Sequence, residues 1–166
     1  MDQMQRIVQN YGGATVDDIE WVLNFIIEKR MSELGLNMVY SLEYDDGGKI
    51  AFSGDIIIEL FEYLKQDEFL KKIPPKSTGR EQYSVEFMES ISKKFDFDKY
   101  DKCDIVCTIT YFTAYSIAYH YLNYLKDIDL VIINGGGAHN DFILNSIREI
   151  TNLKIKDHET FSYSCS

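Results

Sequence analysis

Lys76, Ser77, Thr78, Arg80 and Glu81 stand directly behind the only two prolines of the chain, Pro74 and Pro75. The prolines fix φ and hold Ile73 and Pro74 extended, so a stiff segment delivers two cations, two adjacent hydroxyls and a carboxylate to one loop. Such a loop suits ligand contact. Thr78 and Glu81 also have the T-x-x-E spacing of a capping box, in which the two side chains satisfy orphan backbone N–H groups at a helix start. That role needs no ligand, and it leaves Lys76, Ser77 and Arg80 unexplained.

A second stretch with chemical potential is Asn134-Gly135-Gly136-Gly137-Ala138-His139-Asn140. Three glycines let the backbone approach a ligand closely, and a helix starting behind them would direct N–H groups at a phosphate or nucleoside. The segment is neither G-x-G-x-x-G nor G-x-x-x-x-G-K-[ST], so the two commonest nucleotide fingerprints are excluded. The competing account is a tight turn with close strand–helix packing. His139 suits a cap or the surface, and His120 and His158 have no neighbours at metal-ligand spacing. Asp45 and Asp46 lack the D-x-D-x-D-G pattern of a calcium loop, and with Gly47 and Gly48 they read as a plain turn.

The elements that must hold these segments follow from hydrophobic periodicity. A helix with a broad apolar arc is expected from Thr15 to about Leu34, then a short strand at Met38–Leu42 and the Tyr44–Gly48 turn. A second helix is expected from Gly54 or Asp55 through Ile57, Leu60, Phe61 and Leu64, ending before the prolines. A third should run from Tyr83 to Lys94, with a charged, solvated connector from Phe95 to Lys102 behind it. The fourth, from about Asp104 to Leu125, is long and aromatic, and so belongs in the core. Asp129–Asn134 reads as a β-branched strand, and Phe142, Ile143, Ile147 and Ile150 mark a helix behind the glycines. Leu153–Lys156 fits another short strand, and the last ten residues carry no helical pattern.

At 166 residues with 45% hydrophobic and 14% aromatic side chains, one packed domain is expected. A net charge of -10 without a basic run gives no field to attract a phosphate backbone, which argues against nucleic acid as a partner. No run of eighteen apolar residues occurs and Met1-Asp2-Gln3 does not open a signal pattern, so the expected location is the cytoplasm, away from membranes. Cys103, Cys107 and Cys165 form no C-x-x-C pair, which argues against a disulfide framework and a zinc site. Cys103 and Cys107 are expected as two buried small residues on one helix face.

Taken in order, Pro74–Glu81, Thr108-Ile109-Thr110-Tyr111-Phe112-Thr113-Ala114 and Gly135–Asn140 resemble the C-terminal half of anhydro-N-acetylmuramic acid kinase. Tyr44–Ala51 through Gly54 is also similar to the family's segment ahead of the proline motif. The likeness covers about residues 44–160 and divides the chain into a divergent helical segment, 1–43, and a kinase-like C-terminal lobe, 44–166. It implies an α/β fold: one C-terminal-type lobe of the actin-like ATPase and sugar kinase fold, helix-rich with a short strand set.

By that resemblance Gly135, Gly136, Gly137 and Ala138 would lie against ATP with Asn140 nearby, and Mg²⁺ would accompany the nucleotide. Lys76, Ser77, Thr78, Arg80 and Glu81 are family motif residues without an assigned role. Complete members phosphorylate 1,6-anhydro-N-acetylmuramic acid while water opens the anhydro ring, a step of cell-wall recycling. The family's G-T-S-x-D-G phosphate loop has no counterpart here, and neither Gln9–Ala14 nor Glu33–Met38 supplies the aspartate of its D-T-G-P-G-N segment. The sequence also stops at Phe161–Ser166, before the acidic helix that complete members carry. No catalytic residue is therefore assigned. The expected partners are a nucleotide and an N-terminal kinase half or a second copy. The alternative is a non-catalytic nucleotide-binding or interaction module, or an inactive remnant of such a kinase.

Overall fold

In the computed structural model of the protein the described residues are 45–76, 85–125, 127–128, 130–133 and 136–157. The expected Thr15 helix, the Met38–Leu42 strand, the Thr78–Glu81 capping box and the last ten residues lie outside them, wholly or nearly so. Six helices and a two-stranded sheet are described: α1 Lys49–Phe52, α2 Ile58–Leu64, α3 Glu68–Lys71, α4 Val85–Phe95, α5 Lys102–Tyr124, β1 Leu130–Ile133, α6 Asp141–Thr151 and β2 Lys154–Asp157. The described residues are thus helix-rich with a short parallel sheet, as an α/β kinase lobe would be.

The pillar of the structure is α5. Asp101 caps it by accepting from Cys103 N at 2.8 Å, and Asp104 places a further negative charge in its first turn. The hydroxyls of Thr108 and Thr113 turn back to the carbonyls of Asp104 and Ile109, which lets β-branched polar residues sit inside a buried helix. One side of α5 packs Ile105, Ile109 and Phe112 against Leu60, Leu64 and Leu70 of α2 and α3, Met88 and Ile91 of α4, and Phe97. Another side packs Ala114 and Ala118 against Val131 and Ile133 of β1, Ile143 and Ile147 of α6, and Ile155 of β2. The alanines bring α6 close, and the larger residues fill the opposite side.

β1 and β2 pair in parallel with Val131 opposite Ile155 and Ile133 opposite Asp157, joined through α6. A parallel pair needs such a crossover, and α6 covers the face that carries Val131, Ile133 and Ile155.

Three expectations change. The helix expected from Gly54 starts at Ile58, because Asp55 and Ile57 give their N–H groups to side chains of α5 instead, and it breaks at Asp67, which caps α3. The Phe95–Lys102 connector is not wholly solvated: Phe95 ends α4, and a 3₁₀ turn at Phe97–Lys99 inserts Phe97 into the core. Cys107 is buried but Cys103 is only half-buried. Burial raises the Cys107 thiol to about 11, with Asp104 and Asp55 adding to the effect, so the thiolate is suppressed at neutral pH.

Candidate functional site

The glycine turn behind β1 forms a 3₁₀ turn at Gly136–His139. Gly137 and Ala138 are buried and His139 is exposed. The Ala138 methyl belongs to the core cluster with Ile143, Leu144 and Ile147, so the turn is pinned from inside. Asn140 closes it, donating its N–H to Gly137 O at 3.2 Å while its Oδ1 accepts from Ile143 N at 3.1 Å as the cap of α6. Gly135 and Asn134 lie outside the described residues.

That geometry selects among ligand chemistries. The Ile143 N–H already has an internal acceptor, and the exposed Asp141 carboxylate occupies the first turn of α6, where the helix dipole favours negative charge. A phosphate would meet the Asp141 charge there. The uncharged base or ribose of a nucleotide suits the small residues of the turn better.

The Asp45–Gly48 turn, distant in sequence, lies against the same place. Gly47 and Gly48 both have positive φ, +67° and +79°. A Cβ on Gly48 would stand 2.5 Å from Asn140 Oδ1 and 2.6 Å from Phe142 Cβ, so only glycine lets the turn close on the start of α6. The Asp45 carboxylate accepts from Ile50 N and Ala51 N at 2.8 and 3.2 Å, holding α1 behind the turn. Burial raises its pKa, opposed by those two hydrogen bonds. This turn was expected; its contact with Asn140 was not, since no local spacing encodes it.

At the far end of α1, a Cβ on Gly54 would lie 2.1 Å from the carbonyl oxygen of Cys103. Asp55 N donates to Asp104 Oδ1 at 2.7 Å, and Ile57 N donates to Thr108 Oγ1 at 2.8 Å. Sequence reasoning missed both acceptors, although Asp104 and Thr108 are polar, four apart and on one face of an apolar helix.

Lys76 has a structural position. Its ammonium donates to the carbonyls of Phe69 and Leu70 at 2.5 and 3.3 Å, at the C-terminal end of α3, and lies 4.5 Å from the centre of the Phe69 ring. Burial lowers its pKa, with Asp67 opposing and Lys72 adding to the fall. Ser77, Thr78, Arg80 and Glu81 lie outside the described residues. Of the Thr108–Ala114 segment, Thr108 holds the α2 approach, whereas Thr110 is fully buried and its Oγ1 has no hydrogen-bond partner among the described residues. No cluster of three metal-ligating side chains occurs among the described residues, and no described helix is long and apolar enough to cross a membrane.

Comparison with known proteins matches the sequence to one family. The model of the family described as anhydro-N-acetylmuramic acid kinase matches residues 35–162. Anhydro-N-acetylmuramic acid kinase of Bacillus cereus (strain Q1) is 41% identical over 128 residues, covering 75% of this chain and 32% of the relative. The enzymes of that name from Bacillus thuringiensis (strain Al Hakam) and Bacillus anthracis (strain CDC 684 / NRRL 3495) are each 38% identical over the same length. The chain spans about a third of the length of the curated relatives it matches. A match that takes in the proline motif, the threonine-rich stretch of α5 and the glycine turn together shows that the chain belongs to the anhydro-N-acetylmuramic acid kinase family.

Proposed function

We propose that this chain is the nucleotide-binding part of a kinase that uses ATP to phosphorylate 1,6-anhydro-N-acetylmuramic acid with opening of the anhydro ring. The observation that supports the reading most is the family match across residues 35–162, which includes the glycine turn at the start of α6. In this reading the chain is a C-terminal-type lobe of the actin-like kinase fold, and residues 1–43 are a separate segment ahead of it. By the family resemblance the Gly135–Ala138 turn lies beside the nucleoside, with the Ala138 methyl held in the core, and Asn140 sets the edge. When bound, ATP would supply the phosphoryl group and Mg²⁺ would neutralise its phosphates.

Phosphoryl transfer requires positioning of the γ-phosphate and of the attacking water, and this sequence has neither the G-T-S-x-D-G loop nor the aspartate-bearing segment of complete members. The reading therefore assigns catalysis to this chain together with an N-terminal kinase half, and nucleotide binding to this chain alone. Incubation with ATP, Mg²⁺ and the anhydro sugar, with and without that half, is expected to yield phosphosugar only in the combination. No phosphosugar in either mixture, with ATP binding retained in calorimetry, would leave the non-catalytic nucleotide-binding module. No binding at millimolar ATP would reject both and leave the remnant.

A further inference from the structure

We infer that Gly48 is a positioning residue for the glycine turn: residues 45–54 form a bracket that fixes the Asn140 side chain, and with it the start of α6. Only its ligand-binding consequence rests on the nucleotide reading above. Three observations carry the inference. The bracket touches Asn140 directly, because a Cβ on Gly48 would reach 2.5 Å from Asn140 Oδ1, besides 2.6 Å from Phe142 Cβ and 3.1 Å from Phe142 N. The oxygen it presses against is the one that caps Ile143 N, so displacing that oxygen uncaps the helix.

The bracket itself cannot retreat. Asp45 ties its beginning to Ile50 N and Ala51 N, and Ala51 is fully buried against Val106 of α5. Its end is tied by Asp55 N to Asp104 and by the contact of Gly54 with the Cys103 carbonyl. A side chain added at Gly48 must therefore move Asn140 or Phe142. A nucleoside seated on the turn would lose the edge that Asn140 provides.

The neighbouring glycine supplies the control. Gly47 has nearly the same left-handed backbone, but a Cβ there meets nothing within 4 Å. Gly47→Ala thus carries the backbone strain alone, and Gly48→Ala carries strain plus displacement of the cap. Both variants of the full chain are compared with wild type by amide hydrogen exchange and by calorimetry with ATP. In Gly48→Ala, exchange at Ile143 relative to Ile147 is expected to rise roughly fivefold or more, the scale of a lost N-cap, with ATP affinity falling in step. Gly47→Ala is expected to lower the melting temperature while leaving both ratios at their wild-type values.

Identical behaviour of the two variants in the exchange ratio would overturn the inference. Should Gly48→Ala fail to fold, Phe142→Gly removes the Cβ that the added methyl would also meet at 2.6 Å, and Gly48→Ala/Phe142→Gly is compared with the same pair carrying Asn140→Ser, whose shorter cap withdraws from the methyl: only the triple variant is expected to recover Ile143 protection. Equal Ile143 protection in the double and triple variants would show that the contact does not act through Asn140, which also overturns it. If wild type gives no heat with millimolar ATP, the nucleotide reading falls, and the Ile143 exchange ratio still decides the positioning role.

Discussion

Thr110 and His120 each carry a buried side-chain atom without a hydrogen-bond partner among the described residues. Among the described residues nothing compensates the Thr110 hydroxyl for the water it loses, and valine has nearly its shape. Thr110→Val is therefore expected to stabilise the protein by about 1 kcal/mol, read as a rise in the urea midpoint at unchanged slope; a fall would mean that the hydroxyl has a partner in solution. His120 behaves differently because it titrates. Its Nδ1 lies 2.5 Å from Ser116 O, which places the proton on Nδ1 and leaves Nε2 as a buried acceptor among Phe69, Tyr119 and Tyr124. Burial lowers its pKa, the Ser116 carbonyl opposes, and Lys76 adds to the fall. The unfolded chain then takes up a proton at higher pH than the folded one. The contribution to stability is complete above about pH 6.5, the ordinary histidine value, and is lost as pH falls from there toward the depressed folded value. Asp45 has the opposite sign, since its raised folded pKa favours the folded state on acidification, and it acts near the lower carboxylate range. Between pH 7.5 and 5.5 the melting temperature of wild type should thus fall further than that of His120→Phe; equal falls would remove His120 as the cause.

Among the elements, helix ends decide what the sequence discloses. Asp101 opens α5 by accepting from Cys103 N, and Asp101→Ala is expected to cost about 1 kcal/mol in denaturant unfolding. Long periodic segments were legible: α5, α6 and β1 fall within a few residues of their expected bounds, because their apolar residues recur over several turns or form an unbroken β-branched run. α1 was not legible, since four residues cannot sustain a helix by propensity and this one depends on the Asp45 carboxylate at its start. The late start of α2 and the burial of Phe97 were hidden for a related reason: each is fixed by contact with α5 rather than by local pattern. The glycine turn was readable as a turn before a helix. Its bracing by Gly48, and the use of Lys76 to close α3, depend on contacts that spacing does not record.

At the scale of the whole molecule, the two large apolar clusters of the described residues share α5 and little else. Leu60 is fully buried in one and Ile147 in the other. Truncation of either to alanine is expected to cost about 2–5 kcal/mol. Because α5 cannot lose one neighbour without exposing a face to water, both variants should lower one common unfolding transition. Two separate transitions in calorimetry, each sensitive to only one of the substitutions, would show the clusters to be independent. The double variant should be additive, since the two residues have no shared partner in either cluster. The paired glycines around α1 have a bearing beyond this chain. Gly48-Lys-Ile-Ala-Phe-Ser-Gly54 excludes any side chain at both ends, one against α6 and one against the backbone of α5. A homologue with a larger residue at either end must hold its helices apart differently, so G-x₅-G ahead of the proline motif is a sequence tag by which this arrangement can be traced through genomes.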